Sequence, residues 1–386
     1  MIVDVTIVGG GPVGASVALA LASTSLSVAL VEPRRTALLP TTGFDQRVYA
    51  LNHRSRRFLE QCGAWPHLSM DRITPVQDMR VFGDEDSHID FSAYRNNVAE
   101  LAAIVEDANL QQALQRALSN QGNLTVFAGV ACRSAVWDEQ KATLSLSDGQ
   151  QIETRLVVAA DGADSALRSA AGISVRVHDY GHTAVVANFR AELPHHETAY
   201  QWFKEGGVLA LLPLPSSHVS LVWSVPNAQA SALLGASAEE LAQAVQQASN
   251  SVVGSLQPAG VSAGFALRRM QAARLIAPRL ALVGDTAHNV HPLAGQGLNL
   301  GFGDAQALAA VLSTSAMQGD AGAYALLRRF ERSRREDHLA LEAVTDGLQL
   351  LFASNVPGMK RLRNVGMRIV DRMAPLKRLL VKRALG

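Results

Sequence analysis

A short apolar run that ends in Gly9-x-Gly11-x-x-Gly14 and opens onto small residues constrains this chain more than any other feature. In "VDVTIVGGGPVGASVALALASTSLSVALVEPRR", Val3 to Val8 reads as a parallel strand buried on both faces. Pro12 to Ala22 reads as a helix and Leu26 to Val31 as a second strand, which completes a βαβ unit. A strand before and a helix after are what raise a glycine pattern above chance. Gly9 allows the tight turn, Gly11 lets backbone approach a pyrophosphate, and Gly14 lets helix and strand pack closely. The helix start supplies free N–H groups and a positive dipole end for the anion. Glu32, closing the second strand, is the acid expected on a ribose hydroxyl. An adenine dinucleotide is expected here, and the loop alone leaves NAD and FAD open.

Strand-to-glycine-turn passages recur at "LVVAADGADSALR" and at "LVGDTAHNVHPLAGQGLNLGFGDAQALAAVL". The second of these sets Asp285, His288 and His291 close together, but Pro292 interrupts them and no ligand spacing on one helical face results. A zinc site wants three or four strong ligands. A phosphate site would normally add Lys or Arg, and none occurs between Leu280 and Leu312. An uncharged ring carried on a polyol remains. Asp285 can accept from ribityl hydroxyls, and Gly295, Gln296 and Gly297 expose backbone N–H groups at the start of a helix over Leu298–Leu312. That helix start suits negative charge developing on a reduced flavin, and Pro292 gives a rigid wall without a donor. The expected cofactor is FAD, with pyrophosphate at the first loop and flavin at the last. His288 and His291 read as shaping residues rather than acids or bases.

Between these elements the chain changes character. "DMRVFGDEDSHIDFSA" reads as a hairpin, "VEDANLQQALQRALSNQG" as an amphipathic helix stopped by Gly122, and Gly172 to Arg269 as antiparallel strands with a helix near Ala238–Ala248. The expected organisation is therefore interleaved. Residues 1–75, 101–172 and 271–340 form the FAD domain, 76–100 and 173–270 a sheet domain over the same site, and 341–386 a basic helical tail.

A net charge of +1 over 386 residues disfavours nucleic acid as a partner. Cys62 and Cys132, far apart, suggest neither a zinc knuckle nor a disulfide framework. Neither a signal peptide nor a run of about 18 apolar residues is visible, so the expectation is a cytoplasmic protein. Charge is unevenly placed, however. From Val356 to Gly386 nine basic residues face the single acid Asp371, a local +8 that leaves −7 for the rest. Met359, Leu362, Val365, Ile369 and Met373 recur at helical spacing there. A basic amphipathic helix suits a membrane surface or a partner in a biosynthetic multi-enzyme complex.

"DVTIVGGGPVG", "VVAADGADSALR" and "LVGDTAHNVHPLAGQGLNLGFGDAQAL" together resemble the three motifs of the single-component FAD-dependent aromatic hydroxylases, the group A flavin monooxygenases. The last motif, "GFDQRVYALNHRSRRFLEQCG" and the tail segments "TDGLQLLF" and "PLKRLLVKRALG" are similar to the ubiquinone-biosynthesis branch. The resemblance implies an α/β fold of the p-hydroxybenzoate-hydroxylase type: a Rossmann-like FAD domain, an antiparallel substrate sheet and a helical tail.

It further implies that Gly9, Gly11, Gly14 and Glu32 hold the ADP half, that Pro12, Val13, Arg34 and Val130 also bind the cofactor, and that Arg47 reaches the pyrophosphate or the flavin edge. Asp161 and Gly162 would serve FAD and reductant binding together. Gly284 and Asp285 would take the ribityl chain, and Pro292, Gly295, Gln296, Gly297, Leu298 and Asn299 the flavin ring, with Pro292 and Gly297 shaping the peroxide site. Asp107 departs from the pattern, because relatives often carry Asn, Gln or Arg there. A carboxylate beside a pyrophosphate is unfavourable unless water or Arg47 intervenes.

The implied reaction uses NAD(P)H and O2. Hydride reduces FAD, O2 gives a flavin C4a-hydroperoxide, and its distal oxygen attacks an electron-rich aromatic carbon of a polyprenyl phenol or benzoquinol. The cofactor carries that chemistry, and no proton-transfer residue stands out. Trp202, Phe203, Leu211, Leu212, Pro213 and Trp223 are the candidate apolar walls of the substrate pocket, and strand alternation turns about half of them inward. A smaller phenol, a flavin oxidase or reductase, and a non-catalytic flavoprotein scaffold are the competing readings. The expected location is the cytoplasm, with peripheral attachment to the inner face of the cytoplasmic membrane.

Overall fold

The computed structural model of the protein describes residues 1–34, 39–40, 42–83, 87–204, 206–289, 296–315, 319–336, 373 and 377. Five strands run parallel in the order Leu280–Leu282, Gln151–Ala159, Ile2–Val8, Val28–Glu32 and Leu124–Ala128, with Ile276–Ala277 antiparallel at one edge. Their registers pair Val8 with Ala159 and Val31, Ala159 with Leu282, and Glu32 with Ala128. All five strands therefore end along one border, the side on which open α/β sheets bind ligands. Val5, Ile7, Val28, Leu30, Val157, Val158 and Leu280 are buried, as a sheet covered on both faces requires. Helices α1 (Pro12–Ala22), α2 (His53–Gln61) and α3 (Asp107–Leu118) pack into the same core. The short α4 (Ala166–Ala170) follows the Asp161-Gly162 turn.

The second sheet is antiparallel through most of its width. From one border it runs His288–Asn289, Ala263–Ala272, Val175–Ala191, His218–Pro226, Gly207–Leu214, Thr198–Lys204, Asp78–Phe82 and His88–Ser92. One face is covered by α5 (Asn227–Gly235) and α6 (Ala238–Ala248), whose Ala230, Leu241, Ala242 and Val245 share a core with Tyr200, Trp202, Leu209, Leu211 and Leu221. Ser237 and Glu240 cap α6 reciprocally.

The other face looks toward the parallel sheet's domain. Asn188 Nδ2 there donates to the carbonyls of Phe44 (3.1 Å) and Asp45 (2.9 Å), and Ala199 and Leu214 pack with Val76 and Ile104. A small sheet of Val48–Leu51, Ala102–Glu106 and Thr74–Val76 fills the space between. Helix α7 (Gln296–Ser315) returns against α1 and α2, and helical residues 324–336 follow it.

Candidate active site

Three turns leave the carboxyl border of the parallel sheet and interlock through glycine. Gly9 adopts φ +105°, and a Cβ there would lie 2.2 Å from the Ala160 carbonyl oxygen. A Cβ on Gly14 would lie 1.9 Å from the Gly9 carbonyl oxygen. These two glycines are needed by the fold. Gly11 differs: it is the N-cap of α1 with an ordinary φ of −62°, and its added Cβ would meet only the Arg34 guanidinium, at 3.8 Å. No side chain caps α1 there, and Pro12 occupies its first turn. Backbone is thus left bare where an anion would be received. Val13, between Gly11 and Gly14, crosses to the third turn, where Cβ atoms on Gly284 and Gly301 would meet it at 3.1 and 2.6 Å. The first and third glycine turns are in direct van der Waals contact.

Glu32 is buried. Its carboxylate accepts from Gly10 N (2.6 Å), Arg34 N (2.7 Å) and Arg34 Nε (3.2 Å), and its carbonyl accepts from Gly129 and Val130. The end of strand two, the glycine loop and Val130 therefore frame one recess. Asp161 and Gly162 meet the third turn: Gly162 N donates to Thr286 Oγ1 (3.0 Å), and that hydroxyl donates to Asp161 Oδ1 (3.3 Å). Arg168, buried on α4, donates to the Thr286 carbonyl at 3.0 Å.

Arg47 and Asp285 lie near enough to influence each other electrostatically. Asp285 is open to solvent, yet it lies so deep among protein atoms that burial pushes its carboxyl above the ordinary value, with His288 and Arg47 pulling it back. Burial alone would lower Arg47, but Tyr49, Asp107 and Asp285 outweigh it and hold the guanidinium up. Tyr49 donates to Asp107 Oδ1 at 3.0 Å, and burial with that carboxylate pushes the phenol far up. Asp107 Oδ2 accepts from Gln111 (2.8 Å). The unusual carboxylate is thus held by Tyr49 and Gln111, with Arg47 beside it. Asp45 sets Arg47 in place by accepting from Arg47 N and Ala108 N, and buried Glu106 accepts from Asp45 N (2.6 Å) while pairing with both ends of the Arg72 fork. Arg47 also lies over the Phe265 ring, 5.2 Å from its centroid.

Two expectations change in detail. The Asn299 side chain belongs to the scaffold: its oxygen accepts from Asn52 N and Ser55 Oγ, and its amide donates to the Ala50 carbonyl. At Asn299 it is the backbone, not the side chain, that is left to face a cofactor. In the substrate sheet, the register places Trp202, Leu209, Leu211, Leu221 and Trp223 on the face covered by α5 and α6, and Pro213 pairs with Val219 of that same core. Trp202, Leu211, Pro213 and Trp223 therefore do not line the interdomain face. Phe203 and Leu212 do, with Ala184, Val186, Val208, Ala210 and Val222. Alternation gives two faces without saying which one the helices cover, and both are largely apolar here.

Residues 290–295, with His291, Pro292 and Gly295, and the Gln296 side chain lie outside the described residues, as does the tail apart from Met373 and Lys377. Burial pushes the Cys62 thiol up to about 12 and Cys132 to about 11, which leaves neither suited to nucleophilic work at neutral pH. Sequence reading missed Tyr49, Thr286, Arg168, Asp304 and Arg334. Of these, Asp304 carried a signal, as a lone carboxylate inside the apolar helix "LNLGFGDAQALAAVL".

The bare α1 start, the framed recess at Glu32 and the acidic third turn match the needs of FAD from end to end. Comparison with known proteins agrees. Residues 2–345 match the FAD binding domain family. Ubiquinone hydroxylase UbiL of Rhodospirillum rubrum is 35% identical over 386 residues, covering 100% of this chain and 90% of that one. The 3-demethoxyubiquinol 3-hydroxylase of Escherichia coli is 32% identical, covering 99% and 98%. Among solved structures, the p-nitrophenol 4-monooxygenase of Pseudomonas putida superimposes with a TM-score of 0.81 over 100% of this chain and 99% of that one, at 17% identity.

Proposed function

The chain belongs to the FAD-binding-domain family of flavin-dependent aromatic hydroxylases, and from that premise we propose that it hydroxylates the ring of a polyprenyl phenol or benzoquinol intermediate in ubiquinone biosynthesis. The observation that carries this reading is the meeting of all three turns at one border, with Val13 wedged between the first and third. Bound there, FAD supplies reduction by NADH or NADPH and the activation of O2 for transfer of one oxygen atom to the ring.

The chain's own residues bind and orient. The α1 start takes the pyrophosphate, Glu32 takes the adenosine ribose and Asp285 the ribityl hydroxyls. The N–H groups at the start of α7 stabilise negative charge arising on the ring system. Val186, Ala210, Leu212 and Val222 close the cleft with apolar surface that excludes water, a condition for productive oxygen transfer. The same apolar surface suits an uncharged, prenylated ring.

The test is aerobic turnover with NADH or NADPH under 18O2, followed by mass analysis. The reading expects one heavy oxygen in the ring of a prenylated phenol; cofactor oxidation that leaves every such phenol unlabelled would refute it. No helix among the described residues is long and apolar enough to cross a membrane. The +8 segment of residues 356–386 supports peripheral attachment to an anionic bilayer. Sedimentation with anionic vesicles and none with neutral ones is the expected result, and equal recovery with both would remove the proposal.

A further inference from the structure

Behind the third turn lies a buried charged cluster, partly inside the third motif and partly beyond it, to which the proposed chemistry gives no role. Asp304, fully buried on α7, accepts from three residues in two other segments: Gly284 N (3.0 Å) and His288 Nε2 (2.5 Å) of the third turn, and Arg334 Nε (2.7 Å). Arg334, 2% exposed, belongs to helical residues 324–336 and also donates to the Leu300 carbonyl at 3.3 Å. Its guanidinium crosses α7 where Gly303 leaves room, since a Cβ there would lie 2.8 Å from Arg334 Nη2.

A buried ion pair is weak evidence for stability, because apolar residues of the same volume often do as well or better. Its value must lie in where its hydrogen bonds point. Here they point at the residue before Asp285. The residue after Asp285 is held as well, because Thr286 is fixed by Gly162 through its hydroxyl and by Arg168 through its carbonyl. Asp285 is thus the middle of a turn clamped on both sides, and it alone of the three is turned outward to the cleft.

We propose that Asp304, braced by Arg334 and His288, is a positioning residue for the cofactor: it fixes the Gly284–Thr286 turn and so aims the Asp285 carboxylate at the ribityl chain. Helical residues 324–336 become part of the cofactor site, although no side chain of theirs reaches it.

The test reads FAD binding directly, by titrating FAD-free protein and following quenching of flavin fluorescence, so it needs no substrate and stands apart from the choice of reaction. Asp304→Asn and Arg334→Met are each expected to raise the FAD dissociation constant at least tenfold at a temperature where circular dichroism shows the chain folded. Removing one partner of a buried pair can unfold a protein. If either single variant fails to fold, the double variant D304N/R334M, which leaves no uncompensated charge, is titrated instead with the same expectation. Arg279→Met is the control. Arg279 pairs with Asp320 at 2.5 Å beside the opposite end of the same strand, so its loss should lower the melting temperature and leave FAD affinity within twofold. A folded Asp304 or Arg334 variant with affinity within twofold of the parent, or an equal loss in R279M, overturns the proposal.

Discussion

The parallel and antiparallel sheets serve the same cleft by different means. At the border of the parallel sheet, work is done by backbone: Gly9 and Gly14 let chain segments approach to distances no side chain tolerates, and Gly11 leaves a helix start bare. On the antiparallel sheet, work is done by faces, one sealed under α5 and α6 and the other turned to the cofactor domain. A border of glycine turns is intolerant of any added atom. A face tolerates exchange of one apolar residue for another, provided it is the correct face. The difference teaches that identity of position matters at the border, while orientation matters on the sheet.

The sharpest way to break that contrast is to change two residues of the substrate sheet that lie on opposite faces. Trp202, stacked on Phe82 with centroids 5.2 Å apart and buried with α6, belongs to the sealed core. Trp202→Ala should cost about 3–5 kcal/mol of stability, seen as a large fall in denaturant midpoint. Val222, half-buried on the cofactor-facing side, should behave differently. Val222→Phe is expected to change the midpoint little and to cut ring hydroxylation about tenfold or more by filling the cleft, an effect of about 1.4 kcal/mol on the barrier. If V222F unfolds the chain as readily as W202A, the two faces have been assigned the wrong way round.

A second pair divides the border itself. Gly14→Ala forces a Cβ against the Gly9 carbonyl at 1.9 Å, so backbone must move, at about 3 kcal/mol or somewhat less. Gly11→Ala meets nothing closer than 3.8 Å and needs no unusual φ, so the FAD-free protein should keep its stability within about 0.5 kcal/mol. Its methyl group would stand where the pyrophosphate meets backbone, and FAD affinity should fall about tenfold, or 1.4 kcal/mol. Calorimetry of FAD-free protein and FAD titration separate these outcomes. Equal effects of the two variants in both measurements would remove the distinction between a glycine the fold needs and one the ligand needs.

Legibility in the sequence follows the same division. The parallel strands, the glycine turns and the helix at Ala238–Ala248 could be read because each leaves a local pattern: a buried run, a turn residue, a helical period. The partners that set Arg47 and Asp285 could not. Tyr49 and Asp107 are 58 residues apart, Arg72 and Glu106 are 34 apart, and Asp304 and Arg334 are 30 apart. Such pairs exist only after the chain has closed on itself. The inward and outward choice between Trp202 and Phe203 stayed open for a related reason. Alternation gives two faces but not which one the helices cover, and neighbouring aromatic residues make both faces look like pocket. Asn299 fell between the two cases: its place in the first turn of a helix was legible, but its three hydrogen bonds to Asn52, Ser55 and Ala50 were not.

The smallest effect concerns Asp285, an acid that the border turns outward. Burial holds the Asp285 carboxyl above its ordinary value of 3.8, and His288 and Arg47 only partly offset this. A raised carboxyl favours the protonated folded state. Its contribution to folding is fully present below the ordinary value and is lost as pH rises through the raised one. At neutral pH the FAD-free chain therefore carries a charge it would be more stable without. Asp285→Asn is expected to melt slightly higher than the parent at pH 7, and the gap should close as pH falls toward the ordinary carboxylate range. The same substitution should weaken FAD binding, because an amide is a poorer acceptor for ribityl hydroxyls than a carboxylate. Melting curves of FAD-free parent and D285N between pH 4 and 7 check the sign. A variant less stable than the parent at pH 7, or a gap that widens on acidification, would mean that Arg47 and His288 already outweigh burial and that the turn carries no cost for its ligand.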